Sequence, residues 1–354
     1  MAQQRLHSLP VALRPYTGEA LSSWVSRTAA VYGCTTQELL SEFAPFDRDT
    51  LYRFDLQPSS NTLNCLRVLL KTNTNSLEAC TLASAHPAWL NGWISLAEPL
   101  WNVTEHRTVT RFAVNPAVCP LCLTDDLRDG RSQYSRLEWY CAITTVCPSH
   151  RTPMVSCCRM TLWHQSVPTK GTLPTSRAFC QCCRSNLDRP QGWDSTVDQP
   201  AISALLIFES MLRTAILMRC RPAVANSDYD CTNLIEPALD VAWALMRPVF
   251  GTSRRALHFM QTSQFKMPFA FNTPVEASNW LSSGSLRLRR CILAVIASML
   301  LPTSLRGTLI SEAGRGKSFW ISLRSLHSPE DQKEFRRKAA RWNPPLVEAM
   351  DFYW

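Results

Sequence analysis

Through Leu21-Ser-Ser-Trp24-Val25-Ser-Arg-Thr28-Ala29-Ala30-Val31-Tyr32 the apolar residues recur at three- and four-residue steps, the spacing of one buried helix face. Thr17 stands as a candidate N-cap for that helix, with Ala20 rather than Glu three positions on, so only half a capping box is present. Gly33 suits the helix end. Thr35-Thr36-Gln37-Glu38 opens a second helix whose apolar side is Leu39, Leu40 and Phe43. Two short helices joined through Gly33-Cys34-Thr35 draw the outline of a helix-turn-helix, an outline that any helical hairpin also draws. The helical period returns after residue 200, over Ala201–Arg219 and Ile235–Met246. Residues 274–281 and 285–300, with Gly284 between them, draw a second helix-turn-helix outline. Between the helical ends, residues 105–190 lose the pattern and carry Pro116, Pro120, Pro148, Pro153, Pro168 and Pro174. So little continuous apolar pattern builds little core, and crosslinks must supply the missing folding free energy.

Composition sharpens this division. The chain has 354 residues, 45% hydrophobic and 18% charged, which is the balance of a folded protein and not of a disordered tail. Lys and Arg total 37 against 28 Asp and Glu, a net charge of +9 that favours an anionic partner such as nucleic acid. Glycine is scarce, at 11, and proline plentiful, at 23, which speaks against glycine-rich phosphate cradles. The opening MAQQRLHSLPVALRPYTG lacks the apolar core of a signal peptide. The apolar run Ala201–Met218 carries Glu209 and Arg213, and Cys291–Leu301 is shorter than the ~20 residues a bilayer requires, so no membrane span is expected. A reducing, cytoplasmic compartment follows.

There are 15 cysteines, an odd number, and nine of them fall between Cys119 and Cys183. In a reducing compartment such clustering reads as metal ligation. Cys119-Pro-Leu-Cys122 is followed, after 24 residues, by Cys147-Pro-Ser-His150. Each half is a knuckle with a two-residue gap, and two knuckles supply the four tetrahedral ligands of a closed structural zinc site. Four protein ligands leave no position for a reactive water, so a catalytic zinc is disfavoured. A second zinc site is outlined by Cys158, His164, Cys180 and Cys183: Cys180 forms a knuckle with Cys183 or with Cys182, its partner lies near Cys157 and Cys158, where Met160 and Thr161 stand in place of a second cysteine, and His164 completes the set. Cys141, in an apolar run, reads as a small buried hydrophobe. The chain therefore divides into an N-terminal helical domain with a helix-turn-helix (residues 1–104), a zinc-binding ribbon region (105–190) and a C-terminal helical domain (191–354). The fold class expected is mainly α with small zinc-ribbon elements. Candidate nucleic-acid contacts are Arg287, Arg289 and Arg290 on the helix at 285–300, and Arg336, Arg337 and Lys338 in the basic run Lys333–Arg341.

These residues resemble the TniQ family of transposition proteins. The likeness is carried by Cys119-Pro-Leu-Cys122-Leu-Thr-Asp125-Asp126, Tyr134-Ser-Arg136-Leu-Glu-Trp139 and Cys147-Pro-Ser-His150. A fainter echo lies in Pro15-Tyr-Thr-Gly-Glu19-Ala-Leu21-Ser-Ser23-Trp24-Val-Ser-Arg27. It covers about residues 8–187, and the lone Cys158 departs from the complete second knuckle usual in similar members. The resemblance implies a bacterial, non-enzymatic target-selection adaptor of DNA transposition. Such a protein links target DNA, or a DNA-bound targeting complex, to an AAA+ ATPase of the TniB/TnsC type. A CRISPR guide-RNA complex and a second copy of the chain are further partners it implies. The rival class is a stand-alone transcriptional regulator built from the same helix-turn-helix and zinc ribbon. An enzyme is disfavoured: Gly314-Arg-Gly316-Lys317-Ser318 ends like a phosphate loop but has Ser311 where the first glycine belongs, and nothing places a nucleophile beside a base.

Overall fold

The computed structural model describes residues 8–43, 54–90, 117–156, 162–167, 175–180, 186–188, 199–219, 234–246, 286–301 and 328–342. The chain is mostly helical. It divides into two compact units, residues 1–144 with 154–193 and residues 145–153 with 194–354.

In the first unit the predicted opening helix is α1, Leu21–Val31, and it lies at the centre. Leu21, Trp24, Val25 and Ala29 enter a core shared with Leu39, Leu40, Phe54, Leu66, Leu69 and Leu77. Thr17 does not cap it: Ala20 occupies the N-cap and offers no side-chain acceptor. Two carboxylates do that work instead. Asp55 accepts the Ser22 backbone N–H at 2.7 Å, and Glu19 accepts the Ser23 hydroxyl at 2.9 Å, which places negative charge at the positive end of the helix. At the other end Gly33, at φ +68°, donates to the Ala30 carbonyl while Cys34 donates to that of Ala29. These paired bonds close a Schellman turn, for which glycine has no steric cost.

Helix α2, Thr36–Phe43, carries a full capping box: Thr35 Oγ1 accepts from the Glu38 N–H, and Glu38 Oε2 accepts from the Thr35 N–H. It packs on α1 through buried Leu39 and Leu40, and its described exposed residues Gln37, Glu38 and Ser41 include no cation. Three further helices follow, each with a side-chain N-cap: α3 (Ser60–Leu69) from Ser59, α4 (Thr74–Glu78) from Asn73 and α5 (Leu82–Ala85) from Thr81.

The cysteine-rich region holds more regular structure than its lost periodicity predicts. A helix, α6 (Pro120–Arg128), begins immediately after Cys119 with proline in its first turn, where the missing N–H goes unneeded. Short antiparallel pairs join β1 (Ala117–Val118) to β4 (Val155–Ser156) and β2 (Val146–Cys147) to β3 (Thr152–Pro153). A longer hairpin pairs β5 (Leu162–Val167) with β6 (Thr175–Cys180) in the register Leu162 opposite Cys180.

The second unit contains α7 (Gln199–Arg219), α8 (Ile235–Met246), α9 (Leu286–Leu300) and α10 (Pro329–Ala339). Helices α7, α8 and α9 pack on one another, and α10 packs on α8. Asp240 on α8 fixes that last contact by accepting from Trp342 Nε1 at 3.0 Å and from Lys338 Nζ at 3.3 Å. Helix α7 is long and apolar enough to cross a bilayer, but half of that stretch is buried within the protein and Glu209 lies inside it, the pattern of a core helix. Residues 274–281 and the Gly314–Ser318 motif lie outside the described residues.

Candidate metal centre

Two local structures present the ligands. Cys119 follows β1 directly and is the N-cap of α6, and Cys122 comes in the first turn of that helix. Cys147 closes β2, and His150 stands in the turn leading to β3. Arg151 completes this turn at φ +50°, donating its N–H to the Cys147 carbonyl at 2.8 Å. The three sulfurs and one imidazole nitrogen all lie within 4.8 Å of one another. Cys147 Sγ and His150 Nδ1 are 3.6 Å apart, which matches the separation of about 3.6 Å that tetrahedral zinc would impose between a thiolate and an imidazole. The three cysteines are buried and the histidine is partly so. The donor set fits a four-ligand metal ion, consistent with zinc, and leaves no position open for chemistry at the metal.

In the second unit, the backbone just before Cys147 is held from two helices. Glu209 on α7 accepts from the Thr145 N–H at 3.1 Å and from the Thr145 hydroxyl. Arg290 on α9 donates Nε and Nη2 to the Thr145 carbonyl at 3.2 and 3.0 Å. Every polar group of Thr145 is thus engaged. Burial raises the Glu209 carboxyl to about 7, against the opposing effects of Thr145, Arg213 and Arg290.

The motif between the knuckles proves to be a packed cation. Arg136 grips the fully buried Asp126, with Nη2 2.9 Å from Oδ1, and its guanidinium lies 4.2 Å from the Tyr134 ring centre and 4.9 Å from that of Trp139. Burial opposes the Arg136 charge, but Asp126, Tyr134 and Cys122 outweigh it and hold the group above its usual range. A backbone seam ties this segment to α1: Ala20 donates to Ser135, Leu137 donates to Gly18, and the Ser23 hydroxyl accepts from the Ser135 N–H. Beneath the seam Glu19 and Arg27 form a buried two-point ion pair at 2.7 and 2.6 Å, with Arg27 stacked 4.1 Å over Tyr16. Asp55 also accepts from the Tyr140 hydroxyl at 2.9 Å, and burial pushes its carboxyl upward. Sequence reasoning assigned no role to Glu19, Asp55, Asp126 or Tyr140. The signal that could have found the carboxylates is acidic residues set among apolar and aromatic neighbours.

The other candidate residues are placed as follows. Of the second zinc set, Cys158 and Cys183 lie outside the described residues. His164 on β5 pairs with Ala178, and Cys180 on β6 pairs with Leu162. Of the basic residues, Arg287 lies on α9, while Arg289 is only 2% exposed and Arg290 is engaged with Thr145. On α10, Lys338 is engaged with Asp240. Arg337 pairs with Glu334 but stays exposed, as does Arg336. Cys141 is buried, as its apolar setting predicts.

Residues 10–154 match the family model described as TniQ, a span that contains all four clustered Cys and His residues and the whole Glu19–Arg27 and Asp126–Arg136 framework. No curated protein and no solved structure matches the chain.

Proposed function

We propose, from the premise that the chain belongs to the TniQ family of transposition proteins through its residues 10–154, that it is a non-catalytic adaptor in target selection for DNA transposition. In this reading it connects target DNA, or a complex already seated on DNA, to an AAA+ ATPase of the TniB/TnsC type. The observation that carries the reading is the family match over the segment that also contains the metal knuckles. A closed four-ligand site and deeply buried ion pairs make a rigid mount for protein contacts and offer no reacting group.

Zinc is the metal this reading assigns to Cys119, Cys122, Cys147 and His150, where it supplies folding free energy as a crosslink. Cys119 and Cys122 hold their thiolates at the first turn of α6, where the helix dipole favours negative charge. Thr145, Glu209 and Arg290 orient the strand that delivers Cys147. Nucleic-acid contact is assigned to Arg336 and Arg337, which α10 displays to solvent. A guide-RNA complex as the DNA-bound partner, and a second copy of the chain, belong to the same reading.

The test is retention of an AAA+ ATPase of the TniB/TnsC type on immobilised DNA, with and without ATP, over a salt series. The adaptor reading expects the protein to raise ATPase retention in an ATP-dependent way. Tight binding of a defined DNA site by the protein alone, with no effect on the ATPase, would replace it with a stand-alone regulator.

A further inference from the structure

We propose that the cleft between residues 10–15 and the turn joining α3 to α4 binds an acidic peptide segment of a partner protein. It is a cavity of about 650 Å³, within the range of roughly 300–1,000 Å³ typical of binding clefts. Arg14, from residues 10–15, and Lys71, from the turn, both line it, and none of its lining residues is acidic. Both cations are exposed, and among the described residues neither has an ion pair. Thr72 and Ser76 add hydroxyls, while Val11, 44% exposed, and Leu13 supply an apolar wall.

The strap forming one wall is fixed before any ligand arrives. The Val11 carbonyl accepts from the Tyr32 hydroxyl, that of Leu13 from Trp24 Nε1, and that of Arg14 from Arg27 Nη2. The backbone N–H groups of Ala12, Leu13 and Arg14 donate to nothing among the described residues. A fixed strap, two cations and an apolar wall suit the carboxylates and occasional apolar side chain of a peptide. A nucleic-acid strand would use more cations along a track and would leave the apolar wall unused.

Lys71 adds an independent mark. It occupies the left-handed position that ends α3, at φ +49°, with Lys71 donating to the Val68 carbonyl and Thr72 to that of Arg67. Glycine is the unstrained residue for this turn, and a side chain there costs about 1 kcal/mol. Lysine at that position gives the cleft a cation that glycine would not.

The test is fluorescence anisotropy with the full chain and a short fluorescein-labelled peptide of Glu and Leu, set against the same peptide with Gln for Glu. The acidic peptide should bind, more weakly as salt rises, and the Gln peptide should bind at least several-fold more weakly. Lys71→Gly should lower affinity roughly threefold to tenfold while leaving the melting temperature unchanged or higher, because glycine accepts the turn without strain. Arg14→Ala should act in the same direction. Equal binding of the Gln peptide, or full affinity in Lys71→Gly, overturns the proposal. So does a single-stranded DNA oligonucleotide that binds in place of the peptide and weakens with the same two substitutions, since that assigns the cleft to nucleic acid.

Discussion

Replacing Glu19 with Gln removes the carboxylate from a pair that is almost wholly out of water. Arg27 is 2% exposed and Glu19 is fully buried. Both carboxylate oxygens are engaged: Oε1 with Ser23 Oγ and Arg27 Nε, and Oε2 with the Tyr16 N–H and Arg27 Nη2. With Gln in place of the carboxylate, the Arg27 guanidinium loses its counter-charge and one of its two acceptors there, keeping a neutral amide oxygen, the Arg14 carbonyl at 3.1 Å and the face of Tyr16. An orphaned buried charge costs about 3–5 kcal/mol. For a unit of this size each kcal/mol lowers the melting temperature by roughly 2–4 °C, so Glu19→Gln should lower it by roughly 6–20 °C. Scanning calorimetry of the full chain measures the loss, and amide exchange at α1 shows which unit has been weakened. The double variant Glu19→Gln/Arg27→Met should recover most of the loss, since both charges are then gone from the interior. A loss below about 1 kcal/mol in the single variant, or additive losses in the double variant, would refute the view that this pair organises the base of α1.

Other expectations follow from the same structure. Burial raises Glu209 from the usual carboxylate value to about 7, so the folded state binds its proton more tightly than the unfolded chain does. Stability of the second unit should therefore fall as pH rises from about 4.5 to about 7, and Glu209→Gln should flatten that slope in thermal melts across the range. Gly33→Ala should cost about 1 kcal/mol in the same melts, because an added Cβ meets no atom within 4 Å and only the left-handed φ of +68° opposes it. If Arg336 and Arg337 touch phosphates, replacing both with Ala should lower the log–log salt slope of DNA binding by about 2; an unchanged slope removes α10 from the interface.

How far the sequence spoke depended on the kind of pattern each element carries. α1, α2, α7, α8 and α9 bury apolar residues at a helical period, so they were legible to within a residue or two. α6 was not, because Pro-Leu-Cys-Leu-Thr-Asp-Asp-Leu-Arg is only nine residues long and its buried face mixes Pro120 and Leu123 with Cys122 and Asp126, so its apolar spacing is too short to stand out. The cap of α1 was illegible for a related reason: the group that binds its first turn is Asp55, which lies far along the chain, and a search for local caps finds Thr17 instead. The cluster of Cys119, Cys122, Cys147 and His150 was legible because two equal gaps with proline are a local signature. The burial of Arg289 and the engagement of Arg290 were not, since a helix with three nearby arginines shows an accessible face and an interior one alike until its neighbours are placed.

The central structural claim is that four side chains in two knuckles grip one metal ion. The most direct test is the zinc-to-chain ratio, by elemental mass spectrometry, of the purified protein and of Cys122→Ser prepared identically. The substitution should remove one zinc equivalent per chain and make residues around 117–156 newly sensitive to protease. A ratio and a protease pattern unchanged by Cys122→Ser would contradict the metal crosslink at these residues.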